Sequence, residues 1–228
     1  MKLIKQLIAV SALSAVAIAV GAHAAPAISA AAPASASPAS AAETPDTLVK
    51  RISNDVIETV KADKDIQAGN RQKVMQLVET KILPYVDSQR MTSLAAGRFW
   101  RDATPEQQKA VSTEFRNLLI STYSGALSTI KNETVEFKPM RADPADTEVE
   151  VRSQVNVQRG EPIALYYRLS KSPSGWKIFD INVAGAWLVE AYRSTFASEI
   201  AKGGFDGLIK TLSERNKQLA AKSAKQAK

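Results

Sequence analysis

The sequence predicts an α+β domain in which about six to seven helices cover a curved, four-stranded antiparallel sheet. Two observations carry this expectation. Apolar residues recur at helical spacing up to about Ala126 and again after Trp187, and between them the pattern alternates strictly, from Val135 to Val183. Helices gathered on one face of an antiparallel sheet satisfy both patterns.

The chain opens with Lys2 and Lys5, an apolar stretch from Leu7 to Val20 and then Ala22-His23-Ala24. These are the three regions of a secretory signal peptide, so residues 1–24 are expected to be removed on export to the periplasm. Residues 25–42, nearly all Ala, Pro and Ser, read as a disordered tether. A single folded domain is expected over 43–219, followed by a disordered basic tail over 220–228. No segment reaches the roughly 20 apolar residues of a permanent membrane span.

Within the domain, Val49, Ile52, Val56 and Val60 mark a first helix, with Asp46 as its expected N-cap. A second helix is expected from about Asn70 to Leu83, stopped by Pro84, and a short one over Ser88–Ala96. Thr104-Pro105-Glu106-Gln107 is a capping box with proline at the first helical position. It starts a long helix with Val111, Phe115, Leu118, Leu119, Thr122 and Ala126 on one stripe. Four strands follow, around Val135–Phe137, Val149–Val157, Ile163–Leu169 and Trp176–Val183, joined by turns at Arg159-Gly160-Glu161-Pro162 and Ser172-Pro173-Ser174-Gly175. Two closing helices are expected, from about Trp187 to Lys202 and from Phe205 to about Leu219, broken at Gly203-Gly204.

Composition removes several function classes. There is no cysteine, and the single histidine, His23, lies in the predicted leader. A lipoprotein anchor, Cys/His zinc sites, cysteine nucleophiles and Ser-His-Asp triads are therefore excluded from the mature chain. Losing Lys2 and Lys5 lowers the formal net charge from +7 to +5. In the periplasm that excess serves either solubility or contact with phospholipid head groups, not nucleic acid.

No Gly-rich phosphate loop, paired-carboxylate spacing or nucleophile elbow is present, so neither an enzyme nor a cofactor is expected. Asp143, Asp146 and Asp180 could act as acid or base. Asp180, in a strand among apolar neighbours, reads as a structural carboxylate, with proton-transfer chemistry on a cone-shaped fold as the alternative. The chain also carries Phe99, Trp100, Phe115, Tyr123, Leu165, Tyr167, Trp176, Trp187, Tyr192, Phe196 and Phe205. These either pack a core or line a pocket left between sheet and helices.

Several stretches then point one way together: Leu83-Pro84-Tyr85-Val86-Asp87, Gly97-Arg98-Phe99-Trp100-Arg101-Asp102, the Thr104 capping box, Phe115-Arg116-Asn117-Leu118-Leu119 with Thr122-Tyr123, Trp176 to Ile181, Gly185, Tyr192 to Phe196, and Gly204 to Leu208. In this order and spacing the chain resembles the periplasmic phospholipid-binding shuttles of the Mla (maintenance of lipid asymmetry) pathway, also called the toluene-tolerance family. The resemblance covers Thr47 to Leu219. Ala186-Trp187 departs from the family's small residue pair at that point.

The resemblance implies a cone-shaped, monomeric, non-enzymatic carrier that encloses acyl chains in an internal apolar cavity and needs no cofactor. Its implied partners are phospholipid, an outer-membrane lipoprotein-porin complex, an inner-membrane ABC transporter with a periplasmic lipid-binding ring, and transient membrane-surface contact. The expected cavity residues are Phe99, Trp100, Phe115, Leu119, Tyr123, Leu165, Tyr167, Trp187, Tyr192 and Phe196. Arg90, Arg98 and Arg101 are the expected charges for head group or partner, and read equally well as a solvated basic face. Burial of acyl carbons contributes about 0.8 kcal/mol per CH₂, so a dry cavity is required to hold a chain against water. A small-molecule enzyme using Asp180 and a chaperone or adaptor with an apolar groove are the competing readings.

Overall fold

The computed structural model describes residues 43–226 except Thr129, Pro144 and Arg159. The predicted leader (1–24) and tether (25–42) lie outside these residues. Among them are six α-helices, α1 (Pro45–Ala62), α2 (Lys64–Gln67), α3 (Arg71–Leu77), α4 (Ser88–Ala96), α5 (Pro105–Ser128) and α6 (Leu188–Gln226). One antiparallel sheet has the order β1 (Thr134–Phe137), β2 (Glu148–Asn156), β3 (Ile163–Ser172), β4 (Gly175–Val183) and β5 (Ala186–Trp187). No described helix is long and apolar enough to cross a membrane.

The N-terminal helices depart from the sequence reading in detail. Helix α1 starts at Pro45, with Thr44 at the N-cap position, and Asp46 lies in the first turn, where its charge still suits the helix dipole. The Asn70 side chain caps α3 by accepting from the Lys73 N–H at 3.2 Å. The expected single helix to Leu83 instead passes after Leu77 into a π-helical turn (Val78–Ile82) and a 3₁₀ turn (Leu83–Tyr85) that contains Pro84, and the chain leaves it extended at Val86. Helix α5 begins as expected: the Thr104 N–H donates to Gln107 Oε1 at 3.1 Å and the Gln107 N–H donates to Thr104 Oγ1 at 3.2 Å. Its stripe is buried at Val111, Phe115 and Leu118, but Thr122 and Ala126 are exposed.

The sheet has five strands rather than four. After β4 the chain turns through Ala184 (φ +50°) and Gly185 (φ +90°), the two left-handed residues of a tight hairpin, and Gly185 N–H donates to Asn182 Oδ1 at 2.9 Å. Two residues of β5 then pair back on Asn182 and Val183. Between β3 and β4, Arg168 pairs with Asp180 but Leu169 pairs with Ile178, so Phe179 is an extra residue in a β-bulge. Ile178 and Ile181 have opposite parity in a regular strand. The bulge brings both to the inner face, beside Leu169 and Tyr167.

The apolar interior forms two clusters. One joins α4, α5 and α6 around Met91, Phe115, Phe196 and Leu208. The other joins α1 and α3 to the sheet around Val49, Val60, Val151 and Leu169. The α6 element is two helices across a kink: Gly203 is non-helical and Gly204 has φ +64°, a region that favours glycine. The kink lets Phe196 and Ile200 before it, and Phe205, Leu208 and Leu212 after it, bury in the same cluster. The last helix continues to Gln226, past the Leu219 end expected from sequence.

Asp180 joins sheet to helix. It is 2 % exposed, and its Oδ1 accepts from Ile181 N–H at 2.9 Å and from Val189 N–H, in the first turn of α6, at 3.1 Å. Oδ2 lies 3.5 Å from Arg168 Nη1. Burial pushes its pKa up, opposed by the two backbone N–H groups and Arg168. Because the folded-state value is raised, this group favours the fold at pH below the ordinary carboxylate range, and that contribution fades as pH rises through the folded value. Asp180→Ala leaves two N–H groups without an acceptor and is expected to cost about 2–4 kcal/mol in urea unfolding. Asp180→Asn keeps an oxygen in the Oδ1 position and is expected to cost less at neutral pH and to lose the stability gain on acidification.

Candidate functional site

A cavity of about 440 Å³ opens between the sheet and the helices. Its lining is overwhelmingly aliphatic and draws on both clusters. Helix α1 contributes Val49, Ile52, Val56 and Ile57; the π and 3₁₀ turns contribute Val78, Ile82 and Leu83; α5 contributes Phe115, Leu119, Ile120, Tyr123 and Leu127. The sheet supplies Val135, Val155, Leu165, Tyr167, Ile178, Ile181 and Val183. Strand register explains this wall, because Val151, Tyr167 and Ile181 align across β2, β3 and β4, as do Ser153, Leu165 and Val183. Ile163 and Tyr123, 40 % and 37 % exposed, lie where the cavity meets solvent.

Few polar groups reach the lining. Tyr167 is buried, and desolvation raises its hydroxyl pKa, with Ser53 and Ser153 pulling the other way, so it stays neutral. Desolvation, with Tyr192 nearby, also raises Tyr123. Arg116 and Glu133 are the charged residues of the lining. A separate depression of about 350 Å³, lined by Glu106, Lys109, Ala110, Thr113, Glu114 and Ile209, is shallow and open to solvent and carries three charged side chains. No cluster of metal-ligating side chains occurs among the described residues.

The residues singled out from sequence divide in two. Phe115, Leu119, Tyr123, Leu165 and Tyr167 line the cavity. Phe99, Trp100, Tyr192 and Phe196 instead belong to the helical cluster. There Phe115 meets Tyr192 and Phe196 edge to face, with centroids 5.0 and 4.9 Å apart. Trp187, on β5, pairs with Asn182 of β4, and the Arg168 guanidinium lies over its ring at 3.8 Å, away from the lining.

The three arginines are scattered. Arg90 sits over the Phe179 ring at 3.9 Å and pairs with Glu148 at 2.5 Å. Arg98 lies 5.0 Å over Phe99, and Arg101 is exposed at the end of the 3₁₀ segment Gly97–Asp102. None of them lines the cavity. Asp180 lies outside the lining as well, with both oxygens engaged, and this removes the geometric basis for reading it as an acid or base.

Sequence reasoning favoured aromatics because they are large. The wall is built mostly from Val, Ile and Leu, and the signal for it lies in Val155, Val157 and Ile163, apolar residues at the ends of β2 and β3 that line the cavity.

The family model described as "MlaC protein" matches residues 50–214. The chain belongs to this family. Toluene tolerance protein ttg2D of Pseudomonas putida is 27% identical over 172 residues, covering 75% of this chain and 79% of that protein. The intermembrane phospholipid transport system binding protein MlaC of Haemophilus influenzae is 26% identical over 185 residues, covering 75% of this chain and 86% of that protein. A solved phospholipid-binding protein from Ralstonia solanacearum, in complex with a phospholipid, is 53% identical with a TM-score of 0.74. That likeness covers 77% of this chain and 98% of the solved one.

Phe115 and Leu119, one turn apart on α5, are expected to differ in energetic weight. Phe115→Ala removes a ring packed by two others and is expected to cost about 3–5 kcal/mol in urea unfolding of lipid-free protein. Leu119→Ala, facing space that is already open, is expected to fall below the usual lower figure of about 2 kcal/mol for a buried leucine.

Proposed function

We propose that this chain is a soluble periplasmic carrier that holds phospholipid acyl chains in the aliphatic cavity and passes the lipid between membrane-bound complexes. The observation that carries the proposal is a cavity of about 440 Å³ with Arg116 and Glu133 as the charged residues in its wall. Engineered apolar cavities of about 150 Å³ stay dry and take up benzene, and this one is larger. Each CH₂ that enters contributes about 0.8 kcal/mol, so a 16-carbon chain contributes roughly 10 kcal/mol. Membership of the MlaC family and the likeness to a phospholipid-bound structure support the same reading.

Several parts of the proposal rest on the sequence and the family resemblance. They are export through a leader over residues 1–24, a tether over 25–42, and docking to an outer-membrane lipoprotein-porin complex and an inner-membrane ABC transporter. A chain held by roughly 10 kcal/mol leaves water-solvated protein slowly, so docking is the step at which the cavity must open. Binding, not bond-making, is the role proposed, because the lining presents no acid–base pair or nucleophile with its base.

The test is native mass spectrometry of protein purified from the periplasm. Bound phospholipid is expected in the native protein, and Leu119→Trp, which fills the cavity, is expected to lower occupancy without loss of the folded state. Native protein free of phospholipid, or unchanged occupancy in Leu119→Trp, contradicts the proposal.

A further inference from the structure

We propose that the last part of α6, from Arg215 onward, binds the surface of an anionic phospholipid bilayer; the choice of a bilayer rests on the carrier reading above. The observation behind it is where the net charge sits. Residues 43–214 hold 23 Lys and Arg together with all 23 Asp and Glu of the chain, so the domain up to Glu214 is formally neutral. Residues 215–228 hold five cations, Arg215, Lys217, Lys222, Lys225 and Lys228, and no acidic residue. The whole +5 of the chain without its predicted leader therefore lies in this one segment, which falls beyond the span 50–214 matched by the family model.

Stability of the fold does not account for these charges. Arg215, Lys217 and Lys222 are exposed, and among the described residues none of them pairs with a carboxylate. Lys202, earlier in α6, does pair, with Glu199 at 2.9 Å. The helix dipole favours cations only in the last turn, and Arg215 and Lys217 stand well before Gln226. Lys222 and Lys225 are three residues apart, a spacing at which like charges disfavour a helix. Leu219 packs against the helical cluster, and after it the chain holds only Ala, Ser, Gln and Lys. The segment thus has no large apolar group to seat in a partner's pocket. It offers a row of charges, mostly lysine, whose compact ammonium lacks the fork that reads a shaped two-oxygen site and suits a plane of many phosphates. Its place in the fold agrees. Gln107 Nε2 donates to Asp206 Oδ1 and Asn216 Nδ2 donates to the Glu114 carbonyl, both at 2.9 Å, so α5 and this part of α6 run in the same direction. By helical rise, α6 advances about 15 Å from Asn216 to Gln226, and α5 about 14 Å from Glu114 to Tyr123. The charged segment therefore reaches the end of α5 at which Tyr123 marks the cavity opening.

The test is flotation of protein purified from the periplasm with vesicles of phosphatidylcholine and phosphatidylglycerol, set against vesicles of phosphatidylcholine alone. Native protein is expected to float with the anionic vesicles, to be released as salt rises, and to stay off the neutral ones. Each cation near an anionic surface contributes about fivefold in affinity, so the triple variant Lys217→Gln, Lys222→Gln, Lys225→Gln is expected to bind roughly a hundredfold more weakly. Lys217→Glu alone carries the comparison, with a smaller loss, should the triple variant fail to fold. Equal binding to both kinds of vesicle, no binding to the anionic ones, or undiminished binding by the variants overturns the proposal. Binding to polyglutamate that the variants lose, with no binding to vesicles, overturns the bilayer in favour of an acidic protein surface. Native mass spectrometry of the same samples reads the carrier separately. Phospholipid occupancy is expected to be equal in native and variant protein, a result that sets the segment's role apart from the cavity's. Native protein without phospholipid removes the carrier reading, whatever the flotation shows.

Discussion

The structure depends on hydrophobic surfaces that face one another without meeting. Helices α1 and α5 and the inner face of the sheet turn aliphatic side chains toward a common space of about 440 Å³. Interiors normally close such gaps, since lost packing costs about 24 cal/mol per Å³ of cavity. By that coefficient a void of this size costs on the order of 10 kcal/mol if fully enclosed, comparable with the whole stability of a small domain. A fold with this gap persists because the clusters on either side are well packed. Phe115 and Phe196 anchor the helical cluster, and Val60, Val151 and Leu169 anchor the sheet cluster, all at 1 % exposure or less.

Irregularities in the backbone keep the wall continuous. The π-helical turn carries Val78 and Ile82 in the cavity lining, and the bulge at Phe179 lets Ile178 and Ile181 both face inward. The outer side of β4 has its own use. Asp180 caps α6 there, Phe179 lies under Arg90, and Trp187 lies under Arg168. These polar and aromatic side chains hold the frame, while the cavity wall is mostly aliphatic.

Much of this frame was legible in sequence because its signals are local. The Thr104–Gln107 box, the Ser88–Ala96 helix and the alternation from Val149 to Leu169 were each expected where they occur. The bulge, the strand Ala186–Trp187 and the π turn were not, since each depends on what the segment packs against. The site was half legible. Leu119, Leu165 and Tyr167 were expected to line a cavity and do. Tyr192 and Phe196 were chosen for size, but a large ring is as useful for closing a core as for bounding a pocket, and these two close one.

The central claim is that the space between α1, α5 and the sheet is where acyl chains reside. The most direct measurement is an experimental structure of the protein purified with its native ligand. Tubular density along Leu119, Leu165 and Ile181 is expected, running inward from the opening near Tyr123 and Ile163. A core closed over that space, or lipid density on any other surface, would contradict the account.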